Sequence, residues 1–183
     1  MKTDFLAEIL QTIRDTNPLV YQITNYVTVN DCANATLAVG ASPVMAHSIK
    51  ESADMAKLAN AIVLNIGTPD DNSVAAMLNA GKAAMEKGIP IIFDPVGAGA
   101  SNYRKEICEK ILSELDVAII RGNQSEFRSL LQFPTDTRGV DSINDEEDFS
   151  ELAFEAAREF SCIAAVTGMF DCISDGDDNN IRI

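Results

Sequence analysis

The chain has 183 residues, of which 46% are hydrophobic, and its formal net charge is −14. This length and composition predict one globular domain with a sizeable core. The negative charge argues against nucleic acid as a partner, and no apolar run approaches the roughly 20 residues of a membrane-spanning helix. The four cysteines form no C-x-x-C pair, and there is one histidine. These counts predict reduced thiols, a cytoplasmic location and no structural zinc site.

Strand-like and helix-like segments alternate along the chain. The first helix begins at about Thr3, and Leu6, Ile9 and Ile13 recur in it at helical spacing. Further helices are predicted over residues 30–39, 49–59, 70–87, 102–115, 124–132 and 149–160. Apolar strands are predicted over residues 19–23, 43–45, 61–64, 91–93, 117–120 and 162–166, followed by a strand–turn–strand segment over 172–183. Because the strands are apolar on both faces, the fold class is α/β: a mostly parallel sheet with helices on both faces.

Two of the short helices carry apolar residues that we expect to pack inward. In the helix over 30–39 these residues are Ala33, Leu37 and Ala38, and Gly40 ends the helix. In the helix over 49–59 the expected inward residues are Met55 and Leu58. A polar, flexible connection is predicted over residues 133–148.

Polar side chains follow three of the predicted strands. These side chains are Asp94, Arg121, Thr167 and, one helical turn beyond Arg121, Glu126. Because ligands of open α/β sheets bind at the carboxyl ends of the strands, we expect the four to cluster at one edge of the sheet. Two carboxylates and a guanidinium are groups that hold a metal-bound phosphate.

Each of these side chains also has a structural interpretation. Asp94 precedes Pro95, which makes it either a turn-former or a metal ligand. Glu126 lies three residues after Asn123, as in a capping box. Arg121 fits a phosphate contact or an ion pair with one of the two carboxylates. The sequence alone leaves these alternatives open.

The glycines after Asp94 belong to neither of the two common phosphate loops. Gly97 and Gly99 are followed by Ala100, so G-x-G-x-x-G is absent, and the chain has no G-x-x-x-x-G-K-[ST]. Backbone N–H groups of this turn facing an anion and an ordinary strand-to-helix turn are equally compatible with the sequence.

Residues after the first two strands suggest a small apolar pocket. Tyr26 and Val27 follow the first strand, next to Asn25, and Met45 ends the second. Core packing is the default alternative for such residues. His47 is expected to be a surface or turn residue, and with one histidine no Ser–His or Cys–His dyad is predicted.

Taken in order, six segments resemble the hydroxyethylthiazole kinase family. They are LVYQITNYV at 19–27, GASPVM at 40–45, LNIGT at 64–68, DPVGAGA at 94–100, IRGNQSE at 120–126 and VTG at 166–168. The resemblance implies a ribokinase-like three-layer fold. It also implies ATP-dependent phosphorylation of the alcohol of 4-methyl-5-(2-hydroxyethyl)thiazole in thiamine salvage. Mg²⁺ is implied as cofactor, and a homotrimer with sites at subunit interfaces as the assembly.

The resemblance also assigns roles to individual residues. Asn25, Val27 and Met45 match thiazole-binding positions. Arg121 and Thr167 match ATP-binding positions, and Asp94 and Glu126 match the acidic positions near metal and phosphates.

The resemblance implies a catalytic turn, Gly-x-Gly followed by Cys or Asp, that would lie beyond Ile183. Residues 1–183 are therefore interpreted as one kinase domain that is incomplete at its C-terminus, with no catalytic residue of its own, and we expect little phosphate transfer by this chain alone. Two alternatives remain: a related pyrimidine or pyridoxal-type alcohol kinase of the same fold, and a non-catalytic ligand-binding fragment.

Overall fold

The computed structural model describes residues 3–131 and 149–183. The connection predicted over 133–148 lies outside the described residues. The chain packs into two compact units, residues 1–91 and 92–183. No helix in the described ranges is long and apolar enough to cross a membrane.

The first unit alternates helices and parallel strands. Its helices are α1 (Thr3–Thr16), α2 (Val29–Val39), α3 (Ser52–Leu58) and α4 (Asp71–Met85). Its strands are β1 (Leu19–Ile23), β2 (Ser42–Val44) and β3 (Ala61–Asn65). They lie in the order β2-β1-β3, with Tyr21 beside Val44 on one side and Ile62 on the other. The strands and α4 supply the core of this unit, which includes Tyr21, Ile23, Ile62, Leu64 and Met77.

Strand β4 (Ile91–Asp94) leads into the second unit. The helices that follow are α5 (Asn102–Glu114), α6 (Gln124–Leu131) and α7 (Ser150–Phe160). The further strands are β5 (Ile119–Asn123), β6 (Ile163–Thr167), β7 (Cys172–Ser174) and β8 (Asn180–Arg182). Strands β4, β5 and β6 are parallel neighbours, whereas β7 and β8 are added antiparallel. Apolar side chains of the strands and helices form the core, among them Phe93, Ile111, Ile120, Phe127 and Leu130.

Local sequence explains where several helices begin and end. Asp70 accepts hydrogen bonds from the backbone N–H groups of Asn72 and Ser73, and the Ser73 hydroxyl accepts one from the N–H of Asp70. This capping box satisfies N–H groups that have no partner inside α4. Gly40 ends α2 in the left-handed region, with φ of 103°, as predicted from the sequence.

The α/β class and all predicted helices and strands within the described residues are confirmed, but several details differ from the predictions. Leu37 and Leu58 were expected to pack inward, but they are 58% and 65% exposed. No residue of α2 is buried. Helix α3 is shorter than predicted because residues 49–51 form a turn before it. Strand β5 extends to Asn123 because its pairing with β6 continues as far as Thr167, so Arg121 lies within the strand rather than after it.

Candidate functional site

The second unit brings the four polar side chains predicted at the strand ends to one edge. Arg121 Nη1 lies 3.8 Å from Asp94 Oδ2. The Thr167 hydroxyl donates a 3.1 Å hydrogen bond to the carbonyl oxygen of Gly122, and Glu126 bonds to Asn123 at the end of the same strand. The predicted cluster is therefore confirmed as an arrangement of side chains at the carboxyl ends of β4, β5 and β6.

Glu126 connects two loops through both of its carboxylate oxygens. Its Oε2 accepts the backbone N–H of Asn123 at 2.7 Å, and Asn123 Oδ1 accepts the N–H of Glu126 at 2.9 Å. This reciprocal pair is the capping box that the sequence allowed. The other oxygen, Oε1, accepts the N–H of Gly97 at 2.9 Å. Since the residue is only 8% exposed, its carboxylate is held mainly by these backbone donors.

The loop between β4 and α5 is a tight turn with internal hydrogen bonds. Gly97 has φ of 69°, which favours glycine. The N–H groups of Ala98 and Ala100 donate to the carbonyl oxygens of Pro95 and Gly97, and the N–H of Gly97 donates to Glu126. These N–H groups are already used, so the contacts favour the ordinary turn over an anion cradle built from them.

Two side chains that the sequence analysis did not single out contact this loop: one bonds to it and the other packs closely against it. Arg104 Nη1 donates a 2.6 Å hydrogen bond to the carbonyl oxygen of Val96. A Cβ on Gly99 would clash with the hydroxyl of Ser129, which explains why glycine stands there. Neither contact had a signal in the sequence, because each joins residues brought together by folding.

Arg121 is the cation of this edge that faces solvent. Its side chain is 58% exposed, and that of Asp94 is 17% exposed. An ion pair at such a separation and exposure contributes about 0–1 kcal/mol to stability. The geometry therefore agrees with the ion-pair interpretation of Arg121, with Asp94 as its carboxylate, and the guanidinium is still accessible to an anion from solvent.

The donor set of this edge can be compared with what Mg²⁺ requires. Among the described residues, no group of three or more His, Cys, Asp or Glu side chains could hold a metal ion. Mg²⁺ is commonly bound by one or two carboxylates together with substrate phosphates and water. Asp94 and Glu126 fit that smaller requirement; both oxygens of Glu126 also accept backbone N–H groups, and Asp94 also lies beside Arg121.

In the first unit, Asn25 organises the loop after β1. Its Oδ1 accepts hydrogen bonds from the backbone N–H groups of Val27 and Thr28 and from the Thr28 hydroxyl. Its Nδ2 donates to Oδ1 of Asn65 at 3.0 Å, and this pair is buried. The side chain of Asn25 thus fixes the shape of the loop that carries Val27.

The apolar residues predicted for the first-unit pocket do not share one environment. Val27 is 81% exposed, so the core-packing alternative is wrong for it. Met45 is half-buried and directly follows β2. The rings of Tyr26 and His47 meet edge to face, with centroids 5.7 Å apart. His47 lies in a loop, as expected, but it is half-buried and its Nδ1 has no hydrogen-bond partner among the described residues.

The mostly parallel sheet with its helices defines an α/β fold, and solved structures of kinases share it. An adenosine kinase from Sinorhizobium meliloti shares the fold, with a TM-score of 0.55 and 16% identity over 90% of this chain and 57% of that chain. The sequence model of the hydroxyethylthiazole kinase family matches residues 10–182. The chain belongs to this family.

Individual relatives agree with the family assignment. The hydroxyethylthiazole kinase of Methanocorpusculum labreanum is 49% identical over 93% of this chain, and that of Alkaliphilus oremlandii is 48% identical over 94%. A solved structure of a hydroxyethylthiazole kinase protein from Pyrococcus horikoshii OT3 has a TM-score of 0.88 and 42% identity over 98% of this chain. The chain spans 64% of the length of the first two relatives and 66% of the third. These matches do not favour a pyrimidine or pyridoxal-type kinase.

Proposed function

We propose that the protein takes part in ATP-dependent phosphorylation of the alcohol of 4-methyl-5-(2-hydroxyethyl)thiazole, in thiamine biosynthesis. The observation that carries this proposal is membership of the hydroxyethylthiazole kinase family, matched over residues 10–182. Residues 1–183 are proposed to belong to one kinase domain of the whole protein.

The edge of the second unit is proposed as the ATP-binding part. Arg121 is an exposed cation that would offset charge on the nucleotide phosphates. Thr167 ends β6, where its hydroxyl donates to Gly122 and its oxygen retains capacity to accept a hydrogen bond from a nucleotide. Phosphoryl transfer depends mostly on positioning and charge neutralisation, which this set of groups supplies.

Asp94 and Glu126 are the residues proposed to hold Mg²⁺. When bound, the ion would neutralise charge on phosphate oxygens. Asp94 would contribute a carboxylate oxygen at the end of β4. Glu126 would in addition hold the Gly97 loop against the start of α6, as its hydrogen bonds indicate.

The first unit is proposed to supply contacts to the thiazole. Asn25 fixes the loop that presents Val27, whose side chain is exposed. Met45 is half-buried after β2, and its unbranched thioether suits contact with a flat heteroaromatic ring. These roles agree with the positions that the resemblance assigns.

A homotrimer and a cytoplasmic location are part of the same proposal. Exposed apolar side chains on α1 and α2 support self-association, because monomeric proteins rarely expose large apolar patches. They are Phe5, Leu6, Ile9, Leu37 and Val39.

A direct test combines phosphate transfer with ligand binding. The 183-residue chain is incubated with ATP, Mg²⁺ and the thiazole alcohol, and phosphorus NMR follows the product. Transfer to the thiazole in preference to pyridoxal supports the proposal. Binding of both ligands with little transfer is the result expected for this chain, which spans 64% of the length of its relatives, and transfer by the whole protein then separates the kinase from the ligand-binding alternative. Binding of neither ligand contradicts both.

Calorimetry with Mg·ATP tests the role of Arg121. The Arg121→Met variant is expected to weaken ATP binding about tenfold, since a hydrogen bond to a charged group contributes about 1.5 kcal/mol or more. Lys110→Met removes a charge from an exposed position of α5 and should leave the affinity unchanged. Equal affinities for both variants would contradict the assignment.

A further inference from the structure

The segment that follows β3, residues 65–68, matches a motif of the family but has no role in the function proposed above. We call it the support segment, and we call residues 25–28, after β1, the substrate loop. Strands β1 and β3 are parallel neighbours, with Ile23 beside Leu64. The residues that follow these two strands therefore lie side by side in the first unit.

Side-chain oxygens of the support segment accept hydrogen bonds from the substrate loop. Asn65 Oδ1 accepts from Asn25 Nδ2 at 3.0 Å and from the backbone N–H of Gly67 at 2.9 Å. Thr68 Oγ1 accepts the backbone N–H of Tyr26 at 3.1 Å. These bonds, between two side chains and between a backbone N–H and a side chain, join the two loops.

Gly67 shows how closely the two segments approach. A Cβ at this position would lie 2.8 Å from Cβ of Asn25 and 2.9 Å from Oδ1 of Asn65. Both distances are too short for a carbon atom, so any side chain at position 67 would displace Asn25. Because Asn25 in turn holds the N–H groups of Val27 and Thr28, the position of the whole substrate loop depends on this contact.

Packing restrains the loop only in part. Val27 is 81% exposed and Tyr26 is 63% exposed, so little apolar burial fixes their backbone, although the Tyr26 ring meets that of His47 edge to face. Without Thr68 and Asn65, the loop would be held mainly by this ring contact and by the hydrogen bonds that Asn25 makes within it.

We propose that Asn65, Gly67 and Thr68 are positioning residues that hold the substrate loop in its binding conformation and thereby set the affinity for the thiazole. This inference rests on the proposed function for its ligand. Whether these residues position the loop does not depend on that ligand, and it is measured separately by amide hydrogen exchange.

The test compares Thr68→Val, which removes the hydroxyl but keeps the shape, with Thr68→Ser, which keeps the hydroxyl. Thr12→Val on α1 is the matched control, because the Thr12 hydroxyl bonds only within its own helix, to the carbonyl oxygen of Glu8. Calorimetry measures the dissociation constants of the thiazole alcohol and of ATP. Amide hydrogen exchange by NMR measures protection of the Tyr26 N–H.

In Thr68→Val we expect the dissociation constant of the thiazole to rise about three- to tenfold, the usual effect of one lost hydrogen bond. The constant for ATP should change less than about twofold, within what an uncoupled site shows. Faster exchange of the Tyr26 amide should accompany the loss. Thr68→Ser and Thr12→Val should resemble the parent chain in all three measurements.

Unchanged exchange of the Tyr26 amide in Thr68→Val would overturn the inference, whatever the thiazole does. Faster exchange with an unchanged thiazole constant would also overturn it, because the loop would then have no effect on affinity. If the parent chain binds no thiazole, the proposed function fails, and the exchange measurement still decides whether Thr68 positions the loop.

Discussion

Replacing Glu126 by glutamine should destabilise the second unit far more than the loss of one surface charge. The carboxylate accepts two backbone N–H groups, from Gly97 on Oε1 and Asn123 on Oε2. Glutamine keeps one oxygen acceptor, while its amide nitrogen is a donor and would face the other N–H. The variant therefore loses at least one charge-assisted hydrogen bond and leaves a part-buried N–H donor unpaired.

The magnitude follows from these two losses. A hydrogen bond to a charged group contributes about 1.5–3 kcal/mol, and a part-buried donor left unpaired costs less than the about 1–3 kcal/mol of a fully buried one. Since the two overlap, we expect the free energy of unfolding to fall by about 1.5–3 kcal/mol.

Urea unfolding without Mg²⁺ measures this change, followed by circular dichroism because the chain has no tryptophan. Glu106→Gln is the matched control: the same chemical change at an exposed position of α5, expected to cost less than about 0.5 kcal/mol. If the two variants unfold alike, Glu126 does not hold the loop, and its role would have to lie in metal binding alone.

Two further predictions concern packing and pH. Gly99→Ala should destabilise the protein, because the added Cβ would overlap with the Ser129 hydroxyl. Adding Ser129→Ala to this variant should recover part of the lost free energy of unfolding. If the two substitutions instead change the free energy of unfolding additively in a double-mutant cycle, the overlap does not cause the loss. Burial raises the pKa of two thiols and a phenol, to about 11 for Cys162 and about 12 for Cys108 and Tyr21. The unfolded chain releases these protons first, so the contribution of the two thiols to stability should be constant below their ordinary pKa of 9.0 and fall as the pH rises through 9 towards 11–12. Urea midpoints across this range should fall less steeply in Cys162→Ala than in the parent chain, and a midpoint independent of alkaline pH would contradict the burial argument.

The sequence was a reliable guide wherever local pattern decided the structure. Strand β1 has the predicted bounds, Leu19–Ile23, because a short apolar run between Pro18 and a polar turn has few alternatives. Gly40 ends α2 in the left-handed region, as glycine commonly does. The capping box of Asn123 and Glu126 follows from a spacing of three residues and needs no tertiary information.

Predictions from the sequence were incomplete wherever contacts between residues far apart in the chain determine the structure. The extension of β5 depends on a partner some forty residues away, at Thr167. The exposure of Leu37 cannot be read from helical spacing, which says which residues share a face but not whether anything covers that face. The bond from the Tyr26 N–H to Thr68 joins two loops that only the sheet brings together.

In the candidate site, too, local sequence patterns predicted some features, whereas contacts that depend on the fold were missed. The residue types at the strand ends indicated the carboxyl edge of the sheet, and Arg121 does lie 3.8 Å from Asp94. The second bond of Glu126, to Gly97, had no signal in the sequence, although it determines how the loop after β4 is held. Sequence patterns therefore located the edge, while the fold supplied the contacts that position its parts.

Mapping the two ligands onto backbone amides by NMR tests the central claim most directly. Mg·ATP should shift the amide resonances of Gly97, Arg121 and Thr167, and the thiazole alcohol should shift those of Val27 and Met45. Ligand-induced shifts confined to these two sets of loops are the predicted result. Shifts by Mg·ATP that leave the carboxyl ends of β4, β5 and β6 unchanged would contradict the assignment of this edge to the nucleotide.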